Sequence, residues 1–397
     1  MIGHIPYGAY WCPPFARWQG SLAHLNSITF AADVTKKQMA EKSIDPTELN
    51  LLAFGQTNPQ PGSFYAAPWY AAQIGAEHLP APFVTQACAT GPRLLASMLG
   101  EMALGNGETG LIASGDKLSN GATIYYPAPH APGATGTVEN WVMDNFNKDP
   151  WAKCAMVDTA ENVAKRDGIE TAEQHELVAQ RHAQYQDSLA DDRKFQRRYM
   201  PVIDIPDASG RRVVGTLETD EGVTPVDPGK MAKLRPVCEG GSVTFAGQTH
   251  PADGNAGMIV TRTAEAAQRF AAKDAPKVEV LAFGHGREEK AYMPAAPIKA
   301  TRDALDRCDL TIADMDAIKS HNPFAVNDIA FARHFNLDWR GINNYGSSLI
   351  WGHPQGPTGI RGMIELIEEL AERGGGTGLF QGCAAGDSAM AVVLRVS

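Results

Sequence analysis

The sequence has no C-x-x-C pair, no long apolar run and no surplus of basic charge, and each absence removes a class of function. Its six cysteines, Cys12, Cys88, Cys154, Cys238, Cys308 and Cys383, are scattered. Such scatter argues against a zinc site or a disulfide framework and for a reducing compartment, so no metal is expected. No apolar stretch approaches the roughly 20 residues that cross a bilayer. The opening MIGHIPYGAYWCPPF lacks the basic start and apolar centre of a secretory signal. A cytoplasmic chain with no membrane contact is therefore expected. Lys and Arg number 35 against 45 Asp and Glu, a net charge of -10, which argues against nucleic acid as a partner.

What is present is a globular mixture, 44% hydrophobic and 20% charged over 397 residues. Strand and helix patterns alternate through LNLLAFGQT, YAAPWYAAQIGAEH, PFVTQAC, GPRLLASMLGEMALGNG and TGLIASGD, the signature of an α/β layered fold. From Lys117 to about 250 the character changes to glycine- and proline-rich loops around a polar helical tract. This reads as an inserted subdomain covering a site. The alternation resumes with AGMIVTR, the helix AEAAQRFAAKD and KVEVLAFGHG. PTGIRGMIELIEELAERGGG reads as an amphipathic helix, and two closing strands end the chain. Element order in the second half repeats the first, so a duplicated fold is expected. The expected units are 1–116 plus about 251–270, the cover 117–250, and 271–397.

Four polar residues stand at joints between elements. Cys88 lies where the strand pattern of PFVTQAC gives way to a helix, and a helix N-terminus favours a thiolate. Gly91 and the small Ala87 and Ala89 are expected to leave room for a ligand beside the sulfur. His353 sits in GHPQGPTGIRG, where glycines allow close backbone approach and an imidazole could take a thiol's proton. His321 ends a predicted strand in KSHNPFA, where it could donate to an oxyanion. Cys383 in GLFQGCAAGDSA is a second thiol able to move a proton. For each, the competing reading is a purely structural residue.

Together these stretches resemble the thiolase family, the acyl-CoA C-acyltransferases, along nearly the whole chain. QACATG resembles the segment around the family's nucleophile, MVDTAENVAKR and MAKLRP resemble its loop-domain motifs, GHPQGPTGIR resembles GHPxGxTGxR, and GLFQGCAAGDSA resembles GLFxxCIGGGxG. The resemblance implies a duplicated five-layer α-β-α-β-α fold with an inserted loop subdomain. It implies Cys88 as the acylated nucleophile, His353 as its base, and Cys383 as the second acid/base. HNPF stands where many members have NEAF and resembles the histidine variant of sterol-carrier-type thiolases, which implies His321 in the oxyanion hole. Met156, His250, Phe324 and Ala385 fall on segments that in the family line the acyl and coenzyme A channel. AMV for HMG at 155–157, QTHPADG at 248–254 and Ala385 for glycine depart from the usual pattern. These departures imply a substrate other than plain acetoacetyl-CoA. Coenzyme A is implied as co-substrate, with no permanently bound cofactor. A homodimer or homotetramer is implied too, and an accessory subunit remains open.

Two other readings stand beside this one. A decarboxylating ketosynthase-type enzyme would use Cys88, His321 and His353 and would have no need of Cys383. A non-catalytic acyl-CoA-binding subunit would need none of the four.

Overall fold

Thr109–Lys117, reading TGLIASGDK, is buried along its whole length, and a strand buried on both faces belongs inside a sheet covered on both sides. The computed structural model, which describes residues 2–397, places it there. It runs parallel to Leu51–Gly55 and antiparallel to Ala252–Thr261, in register from Asp253 opposite Lys117 to Thr261 opposite Thr109. In the second half Ala317–His321 runs parallel to Gly376–Ala384. That strand turns back onto Ser388–Val396, which pairs antiparallel with Val278–Arg287. Gly3–His4 pairs with both Ala252–Thr261 and Val278–Arg287 and so joins the halves into one 11-stranded sheet.

Helices Thr90–Ala103 and Gly356–Glu372 pack on each other and touch strands of both halves, forming the middle layer. Ser27–Glu41 and Ala66–Gln73 cover the outside of the first half, and Ala296–Asp306 covers the outside of the second. The order is therefore α-β-α-β-α, as expected. Two shorter expectations need correction. The helix AEAAQRFAAKD extends only over Ala264–Gln268. PFVTQAC contributes only Phe83–Val84 as strand, because the residues after it are consumed by a tight turn.

The expected amphipathic helix forms over Gly356–Glu372, but its polar face as far as Glu369 does not meet solvent. Every residue from Gly356 to Leu370 is buried, because layers close over this helix from both sides. Its charges are answered internally. Arg361 donates to both oxygens of Asp220 at 2.6 and 2.9 Å and to Glu365 at 2.9 Å. Tyr7 and Tyr10 donate to Glu368 at 2.7 and 2.5 Å. The Arg361 guanidinium also lies 4.1 Å from the Trp351 ring centre. Buried charges persist only when matched this completely.

Residues 117–250 form two hairpins, Thr123–Tyr126 with Thr137–Asn140 and Ile203–Pro206 with Val213–Leu217, and helices Met156–Asp167 and Thr171–Ser188. Two buried ion pairs dock this segment on the body: Asp220 with Arg361, and Arg181 with Asp328 at 2.9 Å. Among the described residues, no helix is long and apolar enough to cross a membrane.

Candidate active site

Thr90 shapes the turn that carries Cys88. Its hydroxyl donates to the Ala87 carbonyl at 2.7 Å and accepts from the Gln86 N–H at 2.9 Å. Ala87 is held at φ +44°, a left-handed conformation costing an L-residue roughly 1–2 kcal/mol, strain of the kind that collects at functional turns. Cys88 follows, half-buried, on the wall of a large cavity.

Two expectations about this turn fail. The thiol is not lowered by the helix beside it. Burial pushes it up to about 11, against the pull of the Ala385 and Cys88 backbone N–H groups. Nor does Gly91 leave space for a ligand. A Cβ there would meet the Ile360 nitrogen at 2.7 Å, so this glycine lets the two middle-layer helices cross in contact. Gly359 does the same from the other side, where a Cβ would meet Pro92 at 2.5 Å.

That crossing brings the His353 loop to the thiol. The His353 N–H donates to the His250 carbonyl at 2.9 Å, and its Nδ1 pairs with the Thr358 hydroxyl at 2.7 Å. Nε2, buried, has no partner among the described residues. Asp116 secures the loop from the neighbouring strand by accepting from the Gly356 N–H at 3.1 Å and from the Thr57 and Asn58 N–H groups at 2.8 and 3.0 Å. Burial holds the Asp116 carboxyl up at about 6 despite these donors.

His321 ends its strand beside His353. Its Nδ1 pairs with the Ser348 hydroxyl at 3.0 Å, and its Nε2 is likewise buried without a partner. One donor atom from each of Cys88, His321 and His353 lies within 4.8 Å of the others. Burial lowers His321 to about 3 and holds His353 well below its ordinary value, with His321 adding to the second effect. Both rings are neutral at physiological pH. Cys383, at 0% exposure, is the penultimate residue of the adjacent strand. The Cys88 turn packs on Ala384 and Met390 of the same hairpin. Burial raises the Cys383 thiol too, and Cys88 raises it further.

The cavity holds about 1560 Å³, well above the ~300–1,000 Å³ of common ligand pockets. Cys88, His353, Met156, His250, Phe324 and Ala385 all line it. His321 and Cys383 do not; they stand directly behind the wall. Ala385 in place of glycine is accommodated because the left-handed turn falls on Gly386 and Asp387, at φ +82° and +58°. Sequence reasoning missed Thr358, Ser348 and Asp116, which hold the two histidines and the His353 loop. Thr358 was the most findable, five residues after His353 at the start of a helix.

Comparison with known proteins identifies the family and the fold. The Thiolase N-terminal domain family matches residues 12–264, and the Thiolase C-terminal domain family matches 275–396. The chain is 28% identical over 388 residues to Beta-ketothiolase BktB of Cupriavidus necator, covering 95% of each. It is 27% identical over 420 residues to the 3-ketoacyl-CoA thiolase of Pseudoalteromonas atlantica, covering 96% of this chain and 94% of that one. The crystal structure of human mitochondrial 3-ketoacyl-CoA thiolase superposes with a TM-score of 0.90 at 21% identity, covering 100% of both chains. With both domain families matched in order across the chain, the protein belongs to the thiolase family.

Proposed function

We propose that the protein cleaves a 3-oxoacyl-CoA with coenzyme A, or runs the reverse condensation, through an acyl group carried on Cys88. Family membership makes it an acyl-CoA C-acyltransferase using coenzyme A as a substrate. The observation that carries the residue assignment is the convergence of Cys88, His321 and His353 with Cys383 behind them.

We assign the His353 proton to Nδ1, donated to the Thr358 hydroxyl at 2.7 Å, which leaves the Nε2 lone pair free for the Cys88 proton. With the thiol raised and the imidazole lowered, the resting pair stays neutral. Substrate therefore meets a thiol whose proton leaves as sulfur attacks the 3-oxo carbon. We assign the Nε2–H tautomer to His321, its Nδ1 accepting from the Ser348 hydroxyl in place of the Asn322 Oδ1 that the same hydroxyl reaches at 3.2 Å, so that Nε2–H serves the developing thioester oxyanion with the Ala385 N–H. Fixed donors of this kind are worth about 3 kcal/mol each. When the carbon–carbon bond breaks, Cys383 protonates the departing enolate carbon. Its thiolate then takes the proton of the incoming coenzyme A thiol, which removes the acyl group from Cys88.

The acyl group we assign is bulkier than acetyl. Trp141, Val142, Met143 and Phe146 from the cover line the cavity, and apolar walls select apolar chains. Arg17 and Lys230, cations on the same lining, suit the coenzyme A phosphates. We also assign a homo-oligomer. Phe83–Val84 is the open edge of the sheet, and Phe64, Tyr65 and Phe83 are 91%, 64% and 46% exposed.

A panel of short, long and aromatic 3-oxoacyl-CoA thioesters tests the reaction and the chain preference together. Cleavage should favour bulky chains, and Cys88→Ser should form no acyl-enzyme. Covalent labelling of the Cys88→Ser variant by acyl-CoA at the normal rate would remove Cys88 from the role.

A further inference from the structure

We propose that Asn327 is a positioning residue for Cys383: its side-chain amide donates to the sulfur and holds the thiolate between its two proton transfers. The inference rests on the reaction proposed above.

Asn327 is the third residue of helix Ala325–Phe335 and is 2% exposed. Its Nδ2 lies 3.3 Å from Cys383 Sγ and 3.4 Å from the Pro294 carbonyl. Its Oδ1 accepts from the Phe324 N–H at 3.2 Å. These three contacts fix which way the amide points. Turned over, its oxygen would face the Pro294 oxygen and its NH2 would face the Phe324 N–H, two like-for-like clashes. The sulfur is therefore presented with an N–H donor.

A thiol needs no such donor to be buried, since free cysteine packs as a small apolar side chain. A thiolate does. During cleavage the Cys383 S–H bond breaks as a C–H bond forms on the enolate carbon, and the electron pair stays on sulfur. It remains there until the coenzyme A thiol returns a proton. In condensation the same thiolate removes the α-proton of the second acyl-CoA. Cys383 is fully buried, so water cannot solvate that charge, and the Asn327 N–H is the side-chain donor within reach. The amide pulls the thiol downward against the burial that raises it.

The test separates the two half-reactions. Acyl exchange between an acyl-CoA and labelled coenzyme A uses Cys88 and His353. Deuterium wash-in at the α-carbon of acetyl-CoA, followed by NMR, needs Cys383. Asn327→Asp keeps the shape and the acceptor for the Phe324 N–H but removes the donor. A hydrogen bond to a charged group corresponds to one or two pKa units, so the ratio of wash-in to exchange should fall about 10–100-fold. Asn327→Leu should lower the same ratio. A ratio within about threefold of wild type in either folded variant, or equal loss of both half-reactions, would overturn the role of Asn327. Absence of wash-in in the wild type would instead overturn the proposed reaction itself.

Discussion

The rings of His321 and His353 stack with centroids 4.0 Å apart and planes inclined by 29°. Two imidazoles this close in a buried site cannot both carry charge, because each cation raises the cost of the other. When His353 takes the Cys88 proton, His321 must remain a neutral donor. On the proposed mechanism the two histidines would divide base and oxyanion duties by excluding each other's protonation.

Replacing His321 with asparagine should expose this coupling. His321 lowers His353, so its removal lets His353 protonate at higher pH. The acid limb of kcat/KM should move upward in His321→Asn. Loss of the Nε2–H donor should lower kcat by about 10²–10³ where asparagine fails to replace it. A pH–rate profile reads both effects, and an unmoved acid limb would contradict the coupling.

Alkylation tests the resting state of the nucleophile. With its thiol raised to about 11, Cys88 should react slowly with iodoacetamide at pH 7. Its inactivation rate should keep rising beyond pH 9, where a free thiol has nearly reached its plateau. A plateau below pH 8 would mean that the thiolate is already formed in the resting enzyme.

Asp116 gives a separate pH signature. Its ionised form holds the Gly356 N–H, and it protonates at about 6, so activity should fall as pH drops through that value. Asp116→Asn should be poorly active at every pH and lack this step. Stability has the opposite sign. The native carboxyl is raised above its ordinary value, so the native state holds the proton more tightly. Between about pH 4 and 6 the wild type should gain stability on acidification relative to the variant. Urea melts at two pH values measure this.

Gly91→Ala should destabilise the fold by about 1–3 kcal/mol, the usual cost of overpacking. The added carbon would press on backbone at Ile360 and Gly359, which side-chain rotation cannot relieve. Since the shifted helix begins beside the His353 loop, kcat should fall as well. A chemical melt with unchanged midpoint would refute the crossing role.

The sequence carried the α/β order and the four polar joints because these depend on local patterns: strand-length apolar runs, and glycine and proline around a histidine. It carried the amphipathic helix at 356–372 but not its burial on every face, which is a property of layers, and a charge such as Glu368 looks solvent-facing until its partners Tyr7 and Tyr10 arrive from another segment. The ionisation of Cys88 was misread for a related reason. A helix start is visible in the residues, whereas the desolvation that outweighs it comes from distant chain. Asn327 and Ser348 gave no local sign, since each matters only through a side chain many residues away.

The Asp220–Arg361 pair joins the cover to the helix that begins just beyond His353. Lifting the whole cover would strip Arg361 of both Asp220 hydrogen bonds and leave it Glu365 alone, so the roof around Asp220 travels with the floor beneath it. Entry and exit of substrate therefore fall to the outlying parts of the cover, the 123–140 hairpin and the loop around Lys230. Mutations that loosen those parts should speed product release without touching the chemistry below.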